Sequence, residues 1–108
     1  MSKVENDIII KKIYEIRPKP GMYIFKNNVG YLYLFLAGYL HRQYEIDSTF
    51  RTVFEDFSDF VNHYYGERGA SAAGWGHVIT MNEFTEEEAF RKFYELFDLF
   101  VESLKKPE

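Results

Sequence analysis

Apolar residues along the chain recur at helical rather than alternating spacing, and polar breaks divide them into blocks. Over residues 4–16, Ile9, Ile10, Ile13, Tyr14 and Ile16 mark one face of a first helix that Asn6 or Asp7 can cap. Pro18 and Pro20 end it, each pushing the residue before it, Arg17 and Lys19, towards extended backbone. Pro20-Gly21 suits the centre of a type II turn with positive φ at the glycine. A short extended stretch at 22–25 and a second break at Lys26-Asn27-Asn28 should follow. Residues 29–44 then read as a helix that is apolar all round, which places it at the centre of the fold.

Asp47 or Ser48 can cap the next helix, where Phe50, Val53, Phe54, Phe57, Phe60, Val61 and Tyr64 recur at i, i+3, i+4 and i+7 and Gly66 is placed to end it. Residues 66–76 hold four glycines among small residues and read as a loop. The segment 75–81 fits either a short helix or a strand. Helix is preferred, because no second strand exists to pair with it. Thr85-Glu86-Glu87-Glu88 is a capping box, and its three glutamates suit the positive end of a helix dipole. Ala89, Phe90, Phe93, Leu96, Phe97, Phe100, Val101 and Leu104 give the last helix a wide apolar face, and Lys105 and Lys106 close it. The expected fold is all-α, a compact bundle of four to five helices forming one domain over residues 1–108.

Composition narrows the function classes. The chain has no cysteine, so neither a disulfide framework nor a thiolate metal site is open to it. Its first apolar run, at 8–10, lies among Glu5, Asp7, Lys11 and Lys12, unlike a secretory leader, and the apolar run at 30–40 is shorter than the roughly 20 residues a bilayer requires. A cytoplasmic protein without membrane contact is expected. Residues 1–26 carry six Lys/Arg against three Asp/Glu, whereas residues 27–108 carry seven against fourteen. An acidic body of this kind repels phosphate backbones, which argues against direct nucleic-acid binding, and attracts basic proteins.

Enzyme signatures are missing from the sequence: there is no G-x-x-x-x-G-K, H-E-x-x-H or G-x-S-x-G, and no cofactor motif. The run Arg17 to Phe25 resembles the opening of the ATP-binding domain of gyrase B-type ATPases. The acidic and glycine-rich nucleotide motifs of that family do not follow, so the run reads as a turn. Glu55, Asp59 and His63 at i, i+4 and i+8 would share a helix face and could ligate a metal or exchange protons, but ligands from a second helix are not apparent and a solvated polar face is the simpler reading. Asp56 beside them extends the acidic face. A second acidic stripe runs through Glu95, Asp98 and Glu102, with Glu87–Arg91 and Glu88–Lys92 pairs expected nearby. Of the eleven Phe, nine Tyr and one Trp, the phenylalanines fall on core faces, whereas Tyr31, Tyr33, Tyr64, Tyr65 and Trp75 cannot all point inward at helical spacing, and Tyr and Trp supply interface contacts.

The order of these blocks, from "RPKPGMYI" through "LFLAGYL", "FEDFSDFV" and a glycine-rich run to Trp75 and "EEEAFRKFYELFDLFVES", resembles small bacterial immunity proteins of polymorphic toxin and contact-dependent growth inhibition systems. The resemblance implies a cytoplasmic antidote, not an enzyme, that occludes the active site of a cognate toxin, commonly a basic nuclease domain. Candidate partner-binding residues are Glu55, Asp56, Asp59, Trp75, Glu95, Asp98 and Glu102. A small metal-dependent hydrolase and an oligomeric adaptor are the competing readings.

Overall fold

The computed structural model describes residues 3–66 and 74–105 and is all-α. A single turn, α1 (Lys3–Asn6), leads into α2 (Ile8–Ile16), α3 (Val29–Ile46), α4 (Phe57–Tyr65), α5 (Trp75–Asn82) and α6 (Glu86–Lys105), with 3-10 turns at Pro20–Met22 and Val53–Asp56. No strand occurs among the described residues, and the two readings of 75–81 resolve to helix. The glycine-rich loop expected at 66–76 falls largely on residues 67–73, outside the described residues, as does Lys106. Trp75 and Gly76, expected in that loop, already belong to α5.

The first helix breaks where the sequence suggests a cap. Asp7 accepts hydrogen bonds from the backbone N–H of Ile9 (3.0 Å) and Ile10 (3.1 Å), so α2 starts there and α1 stands apart. The same carboxylate receives the N–H of Val53 (2.8 Å), and the Thr52 hydroxyl lies 2.7 and 2.8 Å from its two oxygens. Thr52 in turn accepts from the N–H of Phe54 (3.1 Å). One buried acidic side chain therefore serves the starts of two elements 45 residues apart.

The turn after α2 departs from expectation. Arg17 keeps a right-handed helical backbone (φ −50°, ψ −48°) despite preceding proline, because its N–H bonds the Ile13 carbonyl and its guanidinium is held by Asp98. Residues 20–22 form a 3-10 turn continued by Ile24 N–H to the Pro20 carbonyl, in place of a type II turn and an extended strand. Positive φ is confined, among the described residues, to Gly66 and Gly74. The helix expected at residues 50–64 is likewise two pieces. Thr52 caps the Val53–Asp56 turn and α4 begins only at Phe57. Gly66, at φ +65°, ends α4 as the sequence suggests.

An aromatic cluster sits within a core otherwise built of aliphatic side chains. Phe57 is fully buried, stacked on Phe54 at 4.9 Å and meeting Trp75, Phe93 and Phe100 edge-on at 5.3–5.6 Å. The short α5, not α3, occupies the middle, packing against α3, α4 and α6. Its close approach to α3 depends on Gly76, where a Cβ would sit 2.8–2.9 Å from ring and Cβ atoms of Tyr33. Helix α3, expected at the centre, buries only Val29, Leu32 and Leu36 and leaves Leu34 67% exposed. Apolar residues all round a helix do not place it inside when none of the described elements covers its outer side.

Helix α6 completes the bundle. Thr85 accepts from the N–H of Glu88 (3.0 Å), and Asn28, which caps α3, donates to Glu86 (2.9 Å), joining the two helix starts. Arg17 docks α2 on α6 through two hydrogen bonds to Asp98 (2.6 and 2.9 Å), with its guanidinium 4.8 Å from the centre of the Tyr94 ring. The Tyr94 hydroxyl is buried without a hydrogen-bond partner among the described residues. Burial pushes its pKa up to about 12, against the opposing charge of Arg17.

Removing the Asp7 carboxylate strands several buried N–H groups, so Asp7→Ala should lower unfolding free energy by about 3 kcal/mol in urea titrations. A Cβ added at Gly21 would meet open space, and φ there is not positive, so Gly21→Ala should be neutral or stabilise by up to about 1 kcal/mol. Gly76→Ala should instead cost about 1–3 kcal/mol through overpacking against Tyr33, and thermal melts of the pair test the contrast. Tyr94→Phe removes a buried hydroxyl that lacks a partner and should stabilise by about 1 kcal/mol at neutral pH. Because the folded state favours the neutral phenol, the stability that this group contributes is present below its ordinary pKa of 10.0 and is lost as pH rises towards about 12. Tyr94→Phe should remove that part of the alkaline loss, measured by denaturation at pH values of about 9 and about 11.

Candidate functional site

Between α3 and the Val53–Asp56 turn the bundle does not close. A cleft of about 200 Å³ lies there, with Tyr33, Leu36, Ala37 and Leu40 contributed by α3. Phe54, Glu55 and Ser58 form the other side, and Trp75 reaches it from the core. The local sequence explains the placement. Thr52, tied to Asp7, starts a 3-10 turn in which Phe54 is buried while the neighbouring Glu55 and Asp56 stay in solvent. The Tyr44 hydroxyl, on the last turns of α3, donates to Glu55 Oε2 at 2.6 Å and bridges the two elements. That hydrogen bond to a carboxylate is the main reason the Tyr44 pKa is raised, with burial adding to it and the charge of Arg51 opposing.

Glu55, Asp56 and Asp59 are all exposed, and none has a cationic partner within ion-pair distance among the described residues. Arg51, close by in sequence, turns its guanidinium to the Phe50 carbonyl at 2.8 Å. The acidic stripe on α6 is different. Asp98 is the bidentate partner of Arg17, and Glu95 receives Lys92 at 2.7 Å, leaving Glu102 as the exposed remainder. The expected Glu88–Lys92 pair is replaced by Lys92 contacts to Glu95 and to the Tyr64 hydroxyl at 3.3 Å. Asp98 is thus a structural residue of the α2–α6 junction rather than part of a free negative stripe.

Trp75, expected at a binding surface, is only 6% exposed and packs against Tyr33, Phe54, Phe57 and Phe93 at 5.0–5.9 Å. Its flanking glycines allow Tyr33 to lie against the start of α5, which draws the indole inward. Tyr65 is also buried, donating to Glu83 at 2.7 Å, whereas Tyr31 and Tyr64 are exposed. The row Glu55, Asp59 and His63 spans the junction of a 3-10 turn and α4, so its spacing is not that of one continuous α-helix. All three are exposed, and no group of three His, Asp or Glu among the described residues is placed to hold a metal ion.

Sequence reasoning misses two contributors. Tyr44 is separated from Glu55 by eleven positions and a turn, and no local pattern announces the pair. The outer face of α3 carries exposed Tyr31, Leu34, Ala37 and Gly38, with Phe25, 86% exposed, meeting Tyr31 edge-on at 5.8 Å. The small residues Gly30, Ala37 and Gly38 are the one sequence hint that this side is not packed. No helix among the described residues is long and apolar enough to cross a membrane. Comparison with protein-family models, with curated proteins and with solved structures gives no match, so the cleft and its acidic rim are read from their own chemistry.

Proposed function

We propose that this chain is a cytoplasmic immunity protein, acting by binding rather than catalysis, that occludes the active site of a basic toxin domain of the nuclease type. The observation that carries the reading is the exposed acidic group Glu55, Asp56 and Asp59, which lacks cationic partners among the described residues and lies beside an apolar cleft and the uncovered side of α3. Three carboxylates held on a rigid turn and helix start present to a nuclease cleft the charge its phosphodiester substrate would present. Apolar surface alongside supplies the water-excluding contact that makes such charge pairs count. The α6 stripe fits the role less well, because Asp98 and Glu95 are already paired within the chain.

Attraction between the acidic rim and a basic domain speeds encounter, while charge pairs that become buried set the lifetime of the complex. The two faces therefore make different predictions. Co-expression with a toxin domain encoded beside this chain should be survived with the wild type and lost with Glu55→Lys/Asp56→Lys/Asp59→Lys. Affinity for the triple variant should drop by about 2–5 kcal/mol with circular dichroism unchanged. Glu95→Lys/Glu102→Lys, which spares the Arg17–Asp98 junction, should protect as wild type does. A wild type that fails to protect, or a folded triple variant that protects fully, would overturn the proposal.

A further inference from the structure

The cleft beside the acidic rim has a shape and chemistry that select one kind of occupant. Its volume of about 200 Å³ falls below the roughly 300–1,000 Å³ of sites for whole small molecules and suits a single long side chain. Its walls include Leu36, Leu40, Phe54 and Trp75, which favour an aliphatic stem and the face of a flat cation. The one carboxylate lining it is Glu55, already positioned by the Tyr44 hydroxyl at 2.6 Å and without a cationic partner among the described residues. Ser58 adds a hydroxyl to the same side.

We infer that the cleft is the seat of an arginine side chain presented by the basic protein partner, with its stem against the apolar walls and its guanidinium on Glu55. This inference rests on the binding role proposed above and names the anchor of that contact. Arginine suits the cleft better than lysine. Its planar head is less strongly hydrated, stacks on aromatic rings and can donate two parallel hydrogen bonds to a carboxylate. Oε2 of Glu55 accepts the hydrogen bond from the Tyr44 hydroxyl and still has a lone pair to offer, and Oε1 has no donor among the described residues. Asp56 and Asp59, outside the cleft lining, add attraction without contact.

The full chain can be titrated with the capped tripeptide acetyl-Gly-Arg-Gly-amide while the Trp75 indole N–H and the backbone amides of Ala37 and Ser58 are followed by NMR. Trp75 is the single tryptophan, so its indole signal is unambiguous. Saturable millimolar binding is expected, with shifts centred on these groups. The same peptide with citrulline, which keeps the shape and loses the charge, should bind at least about tenfold more weakly. Glu55→Gln and Ala37→Leu should each abolish the response, one by removing the charge and the other by filling the space, while Asp59→Asn should retain it. Should either cleft variant prove unfolded, the arginine and citrulline comparison on the wild type decides alone. Equal binding of the two peptides, shifts centred away from the cleft, or no saturable response overturns the inference. Failure of protection in cells with arginine binding intact would count against the immunity role only, and protection without arginine binding against this anchor only.

Discussion

A single buried carboxylate governs how the chain is laid out. Asp7 closes the start of α2 with one oxygen, holds the Val53 N–H with the other and takes the Thr52 hydroxyl between the two, so the N-terminal segment and the turn before α4 are fixed to one point. A carboxylate out of water is tolerable only when its lone pairs are filled, and here backbone N–H groups at two helix starts and one hydroxyl fill them. The consequence reaches the surface. Because Thr52 is held, Phe54 turns into the core and Glu55 and Asp56 turn out, which sets the rim of the cleft.

The distribution of charge follows a second division. On the α2–α6 side, acidic groups are answered from within the chain, by Arg17 on Asp98 and Lys92 on Glu95, and these pairs join or brace helices. The carboxylates of both pairs are about half exposed, so each pair adds little to stability in salt and serves mainly to set orientation. On the α3–α4 side, the rim carboxylates have no cationic partner among the described residues, and Glu55 accepts only the Tyr44 hydroxyl. On α6, by contrast, Glu95 and Asp98 are already engaged.

How much of this is legible in the residues depends on the range of the interaction. Thr85 and its glutamates, Gly66, and the apolar face of α6 are local patterns, and the structure has them where periodicity and capping chemistry place them. Tyr94, buried on that same helix, has no such signal, because a tyrosine reads equally well as a surface residue. Asp7 with Thr52 and Arg17 with Asp98 are 45 and 81 positions apart and leave no local trace. Periodicity misplaces α3 because Leu34 and Tyr31 look like core residues until one asks which element remains to cover them. Trp75 is more buried than a surface anchor would be, for the opposite reason. Aromatic enrichment at interfaces is a statistical tendency, and two glycines that admit Tyr33 decide the matter locally.

The uncovered side of α3 has one more implication, which concerns inheritance rather than mechanics. Positions such as Leu34, Gly38 and His41 contribute little to the core, so exchanging them should scarcely disturb the fold. Mutations can accumulate there at low cost while the aromatic interior and the Asp7 clamp stay unchanged. A lineage built on this framework can therefore revise the outer surface of this helix, step by step, without passing through unfolded ancestors.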